Sequence, residues 1–410
     1  MKEIELISFV LPSRSNLKYL KWSYNSIRKN LKTKHWICMA DDASTDGTWE
    51  WMKEVMLSDD KVKCIRNKGP KRLGHTILYN RIVEELVKTD IFCIIHADMY
   101  ICSGFDEEIF KYVDENVVVS GTRIEPPLHM NGPEKIIYDF GIEPEEIDED
   151  SLLKFIEKQK KKYKNKTTEG IFAPWAMYKK RFLEIGGHDN LFAPQSKEDS
   201  DIFNRLQLNG FIFVQSWNMF TAHLTCRGSR FADGATRNPD GEVFMKGRET
   251  DEWLKQNDRS TRNFIRKWGS MVQHDRYMKP IVPHKYDIGF VIRNCELDML
   301  GVLEPMCTTI YTDTVNNVIE DYKKLEQKNT KFKLDERIKH IDDIKSNDII
   351  VEFDAHQLSN DRFNFLTKLP EILADSGEIG QMEYVIFKIT INSLKTYENN
   401  LIKLNDDLYL

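Results

Sequence analysis

No stretch of about 18 apolar residues occurs anywhere in the 410-residue chain, which excludes a membrane-spanning helix on length. The opening MKEIELISFVLPSRS lacks the basic stretch, long apolar run and small-residue cleavage site of a signal peptide. The expectation is therefore a cytoplasmic protein, with peripheral contact to a membrane left open. There is no basic excess either. Lys and Arg number 59 against 65 Asp and Glu, a net charge of -6, which argues against a nucleic-acid partner. The seven cysteines are odd in number, scattered and never arranged as CxxC, which speaks against a disulfide framework or a zinc site. Walker A, GxGxxG, HExxH and GxSxG patterns are all missing, and with them the signatures of the common NTPases, dinucleotide enzymes, zinc proteases and serine hydrolases.

What is present is enough apolar material to fold. Hydrophobic residues make up 41% of the chain and charged ones 30%, the balance of a globular, water-soluble protein of two or three domains. Ile4 to Leu11 reads as a buried strand closed by Pro12, and apolar positions Leu17, Leu20, Tyr24 and Ile27 then fall on one helix face. Strands at 35–40, 62–65 and 91–95 alternate with helices at 48–57 and 75–88. Alternation of this kind predicts a mostly parallel α/β sheet flanked by helices, with ligands at the carboxyl ends of its strands. Residues 225–262 are rich in Gly, Asp, Arg and Asn and read as a lid-like loop, in which Arg227, Arg230 and Lys246 are candidates for gripping phosphate. A domain boundary is placed after residue 282. Residues 283–410 read as a smaller α/β domain, a candidate surface for acceptor or for a second copy of the chain, with no chemistry of its own.

Three acidic clusters stand where strands end: Asp41-Asp42, Asp98 in His96-Ala97-Asp98, and Glu198-Asp199-Ser200-Asp201 at the start of a helix. Singly, each has an ordinary explanation, since Asp before a helix is usually a cap.

Together they resemble glycosyltransferase family 2 on the GT-A fold, over roughly residues 1–280. Asp41 through Thr48 matches the family's DDxSTDGT element. Lys71-Arg72-Leu73-Gly74-His75 through Asn80 looks like its Gly/Arg/Asn stretch, and His96-Ala97-Asp98 stands where the family has DxD. Ile185-Gly186-Gly187-His188-Asp189 resembles the segment ending GGFDE, and Glu198-Asp199 corresponds to the ED motif. The resemblance implies an inverting, metal-assisted transfer of a sugar from a nucleotide-diphosphate sugar, UDP-linked by the same analogy, to a hydroxyl of a glycan or other acceptor. Donor contacts would come from Pro12, Ser13, Asp41, Asp42, Arg72, His96, Ala97 and Asp98. Asp98 and His223 would hold Mn²⁺ or Mg²⁺, Asp199 would be the general base, Glu198 would orient it or the acceptor, and Trp175 would offer a sugar platform. His96 in place of the first DxD aspartate removes one anionic contact. Two other readings compete: a sugar nucleotidyltransferase, whose glycine-rich loop is missing from Leu11-Pro12-Ser13-Arg14-Ser15, and a noncatalytic nucleotide- or carbohydrate-binding protein.

Overall fold

The computed structural model describes residues 7–225, 235–237, 243–245 and 251–397. The chain divides into two compact units, Met1–Trp253 with His274–Pro280, and Leu254–Gln273 with Ile281–Leu410.

The first unit is built around β1 (Ile7–Ser13), in which every residue is buried. After it come α1 (Leu17–Asn30), β2 (His35–Asp42), α2 (Thr48–Ser58), β3 (Val62–Asn67), α3 (Gly74–Arg81) and β4 (Ile91–Ile94). Strands β3, β2, β1 and β4 lie side by side and parallel, and such a sheet, covered on both faces, needs the continuous apolar runs that the sequence supplies. Pro12 does not close β1, because the strand runs on to Ser13. It pairs there with Ala40 of β2, whereas the β4 ladder ends at Val10, so one side is free of the bond proline cannot donate.

Beyond β4 the sheet becomes mixed. Next in the chain are β5 (Met99–Ile101), α4 (Phe105–Tyr112), β6 (Val117–Glu125), β7 (Lys135–Ile137), α5 (Glu149–Lys162), β8 (Thr167–Thr168), β9 (Trp175–Tyr178), α6 (Lys179–Glu184), α7 (Glu198–Leu208) and β10 (Ile212–His223). Strand β9 is antiparallel to both β4 and β6, and β10 is parallel to β6 and antiparallel to β5. The sheet is thus wholly parallel only in its first half and mixed in its second. The β10–β5 pairing sets His223 opposite Met99, the residue after Asp98.

Strands β11 (Ala235–Arg237) and β12 (Val243–Met245) pair antiparallel. The remainder of 226–250, with Arg227, Arg230 and Lys246, lies outside the described residues. Residues 251–262, expected in the lid, are helical instead, as part of α8 (Asp251–Trp268).

The second unit takes residues 254–273, which the sequence reading assigns to the first domain. The reason is ionic: Arg262 and Arg266 of α8 pair with Glu326 and Glu304. Its sheet contains β13 (Ile288–Arg293), β14 (Thr309–Thr312), β15 (Ile338–His340), β16 (Ile349–Asp354), β17 (Gly380–Tyr384) and β18 (Phe387–Ile391), in the order β15-β14-β13-β16-β18-β17. The first four are parallel and the last two form an antiparallel hairpin. The helices are α9 (Leu297–Leu303), α10 (Asn316–Glu326), α11 (Leu334–Arg337) and α12 (Asn360–Ser376). Among the described residues no helix is long and apolar enough to cross a membrane.

Candidate functional site

The carboxyl ends of β1 and β2 form a narrow cleft lined by Pro12, Ser13, Arg14, Asp42, Arg72, Gly74 and His75. Asp42 organises it. Its carboxylate accepts from the backbone N–H groups of Leu73 at 3.0 Å and Gly74 at 2.8 Å and from Asn67 Nδ2 at 2.7 Å. Asp41 accepts from Ser44 N at 3.1 Å and pairs with Arg66 at 3.1 Å. Both aspartates therefore shape the loops around the cleft, and Asp42, having about four acceptor sites and three donors, keeps capacity for one more. Asp46 is fully structural, accepting from Leu17 N at 2.9 Å and from the Thr48 hydroxyl at 2.6 Å.

The loop that Asp42 holds is pressed against the start of α7. Gly74 has a φ of +82°, and a Cβ there would stand 1.9 Å from the Pro194 carbonyl oxygen. Arg72 donates to Gln195 at 2.5 Å. The turn entering α7 places Ser196 and Lys197 in succession at φ +79° and +70°, left-handed values that cost non-glycine residues about 1–2 kcal/mol each. Strain of this kind persists where the surroundings over-determine the backbone. No side chain caps α7, so Glu198 and Asp199 are not capping residues. Asp201 is structural: it pairs with Arg205 at 2.9 Å, and Arg205 donates to the Ile185 and Gly187 carbonyls at 2.6 Å each.

His188 completes this group. Asn80 clamps its backbone, accepting from His188 N and donating to His188 O, both at 2.8 Å. The ring is fully buried, stacked on Tyr79 at 5.3 Å between centroids, and its Nε2 lies 3.9 Å from Asp199 Oδ1. Neither ring nitrogen of His188, nor the Tyr79 hydroxyl, nor Glu198 Oε2 has a hydrogen-bond partner, an uncommon concentration of unmatched buried polar atoms. The two carboxyls are driven apart electrostatically. Burial and the adjacent Asp199 push Glu198 up to about 8. Burial also acts to raise Asp199, but His188, His96 and His75 outweigh it and hold that carboxyl low. Burial pushes the Tyr79 phenol well above its ordinary value, with Asp199 and Glu198 adding to the shift, and burial beside Arg72 pulls His75 down to about 3.

Next to this pair, His96, Asp98 and His223 offer one ligand atom each, all within 4.8 Å of one another. His223 Nε2 stands 3.5 Å from Asp98 Oδ1, and its Nδ1 lies 2.7 Å from Glu125 Oε1. A carboxylate behind a histidine fixes the tautomer and aims the other nitrogen, the arrangement usual behind metal ligands. Glu125 is itself held by Arg123 at 3.2 Å and Lys135 at 3.0 Å, which overcome burial and keep it strongly acidic. Two imidazoles and one carboxylate suit a borderline or hard divalent ion such as Mn²⁺. Ala97 is buried between these ligands in the chain.

Trp175 does not offer a sugar platform. It is fully buried in β9 and packs against Phe92, Phe182 and Phe203, because β9 lies between β4 and β6 and is covered on both faces. Sequence reasoning missed His188, Tyr79, His75 and Glu125. The first had a signal, a histidine where the GGFDE pattern has phenylalanine, and Glu125 could have been suspected only as one more acid at a strand end.

Residues 8–186 match the family model described as glycosyl transferase family 2. No curated protein matches the chain. Two solved structures are similar in part. One is GalNAc-T7 with UDP, GalNAc and Mn²⁺, 14% identical with a TM-score of 0.41, the match covering 54% of this chain and 44% of that one. The other is the mannosyltransferase PcManGT from Pyrobaculum calidifontis in complex with GDP-Man and Mn²⁺, also 14% identical with a TM-score of 0.40, covering 62% and 61%. The chain spans less than two thirds of either, and neither likeness is close enough to carry a residue's role across.

Proposed function

Taking residues 8–186 as a glycosyl transferase family 2 domain, we propose that the first unit moves a sugar from a UDP-linked donor to an acceptor hydroxyl with inversion at the anomeric carbon. The observation that carries this reading is the convergence of His96, Asp98 and His223 within 4.8 Å, in electrostatic contact with Asp199 through His96. Pro12, Ser13, Asp42 and Arg72 line the cleft for the nucleotide, with Asp41 holding Arg66 beneath it. His96, Asp98 and His223 would hold Mn²⁺ or Mg²⁺. A divalent cation bound there neutralises charge on the departing diphosphate.

The remaining chemistry belongs to the protein. The acceptor oxygen attacks the anomeric carbon as the bond to the phosphate oxygen breaks, and the bonding pair leaves with the nucleoside diphosphate. The acceptor proton passes to Asp199, whose carboxyl is held low and is therefore ionised at neutral pH. Glu198, protonated near neutral pH, adds no competing negative charge and can donate a hydrogen bond to the acceptor. Two carboxyls whose surroundings split their pKa values is the usual way to assign acid and base roles. His188 stands beside Asp199, its Nε2 3.9 Å from the carboxylate, and helps to hold that carboxyl low.

Calorimetry with UDP-sugars, with and without Mn²⁺, tests the reading. Asp98→Ala is expected to abolish the metal-dependent part of donor binding. Equal affinity in wild type with and without metal would sink the metal-assisted reading and favour a noncatalytic binding protein.

A further inference from the structure

The second unit contains a cavity of about 550 Å³, within the range of small-molecule sites. It lies at the amino ends of the parallel strands: Tyr286 precedes β13, Thr308 precedes β14, Arg337 precedes β15, and all three line it. Asp313 and Asp354, at the carboxyl ends, are occupied in tying down Asn294 at 2.9 and 2.8 Å. The cavity is therefore distinct from the strand-end crevice where doubly wound sheets ordinarily bind ligands.

Its walls combine an apolar body with an excess of positive charge. Tyr286, Ile288, Met306, Phe332, Pro370 and Tyr397 supply the apolar surface. On the lining, Arg266 and Arg337 are matched by Glu304 and Glu326 behind them, and Lys331 and Lys333 stand against one carboxylate, Glu336. Lys285 adds a further cation. Its Nζ donates to the Arg266 and Lys267 carbonyls at 2.9 and 3.0 Å, which leaves one of its three N–H groups unused. Among the described residues no carboxylate pairs with it. The carboxylate on the lining, Glu336, is held by Lys333 at 3.0 Å on the exposed rim. Burial and the nearby Arg337 and Lys267 pull the Lys285 ammonium down to about 7, against the weaker pull of Asp287. Such an ammonium lacks a counter-ion, and an anion seated beside it would restore its charge.

We propose that this cavity binds a small organic anion with an apolar body, a carboxylate or a phosphate monoester, its charge against Lys285 and its body against Tyr286, Met306 and Phe332. The site does not depend on the sugar-transfer reading, because every residue in it belongs to the second unit.

Calorimetric titration of the full chain with octanoate, octyl phosphate, 1-octanol and inorganic phosphate tests it. Octanoate or octyl phosphate is expected to bind one per chain, about tenfold tighter than octanol, with no binding of inorganic phosphate. The tighter of the two anions identifies the headgroup. Lys285→Met should reduce anion affinity to that of octanol and leave octanol unchanged. Met306→Trp keeps the lysine but fills the cavity, and should remove binding of both anion and alcohol, with circular dichroism confirming the fold of each variant. Equal binding of octanol and the anions, anion binding unchanged in either variant, or no binding of any probe would overturn the proposal.

Discussion

Two buried glutamates, one in each unit, show how neighbours set the charge of a buried acid. Glu304 is fully buried, yet it is wrapped by Arg266 and Arg337 and accepts from the Tyr322 hydroxyl at 2.9 Å. Burial alone would raise its pKa, but the arginines reverse the sign and hold it at about 2. Glu198 is nearly as buried, has one carboxyl oxygen without a partner and sits beside a second carboxylate, and it is pushed up to about 8. Burial is common to both, so the neighbours decide. A satisfied charge cluster fixes the fold. An unsatisfied group at a strained turn, near unmatched histidine and tyrosine atoms, is what the proposed sugar transfer would use.

Three variants sharpen that contrast. The largest effect is expected from Glu304→Gln, which strands two arginines in the interior and should destabilise the second unit by about 3–5 kcal/mol in urea unfolding. The pH dependence follows the same logic. Glu304 has a depressed folded pKa, so its contribution is present above its ordinary 4.5 and is lost as pH falls through about 2. Wild type should therefore weaken over that window while the glutamine variant stays flatter. Equal stability of the two proteins would mean that the cluster only breaks even.

A smaller effect is expected from His188→Phe, a change of similar shape among the rings of Tyr79, Trp175 and Phe182. It removes two unmatched nitrogens, so stability should hold or rise. Turnover should fall about tenfold, and the acid limb of the rate profile should move to higher pH, because Asp199 loses one of the groups that keep it ionised. An unmoved acid limb would reduce His188 to a packing residue.

The smallest change belongs to Glu198→Gln, which imitates the protonated form. Turnover at neutral pH should stay within about threefold. The stability profile should differ in a defined direction: wild type loses stability as pH rises from 4.5 to about 8, since the unfolded chain releases a proton that the folded chain retains, and the variant lacks that slope. A hundredfold loss of turnover would instead make Glu198 the base.

The fold of the first unit was legible as far as β4 because its strands are short, apolar on both faces and punctuated by helices with a clear stripe. Past β4 the strands pair out of order, and that pairing depends on contacts between distant segments such as Ser120 with Trp175, which no local pattern encodes. That Asp98, His223 and the Glu198-Asp199 pair stand out from the other acids and histidines could be read from motif and position. Trp175 was misread because β9 is buried on both faces only through its place between β4 and β6, a long-range pairing that no local pattern encodes. His188 and Glu125 are singled out only by their neighbours, Asp199 and His223, which no local pattern places beside them. The ionic tie between α8 and Glu304 and Glu326 likewise moved residues 254–273 across the expected boundary.

The central claim is that the unmatched cluster at the start of α7 performs sugar transfer. The direct measurement is nucleoside diphosphate released from a panel of nucleotide-diphosphate sugars by the full chain with Mn²⁺, in wild type and in Asp199→Asn. Wild type should release it from one donor in a metal-dependent way, and the variant should fall by about 10² or more with donor affinity and unfolding midpoint unchanged. Release from no donor at all, or an asparagine variant as active as wild type, would contradict the account.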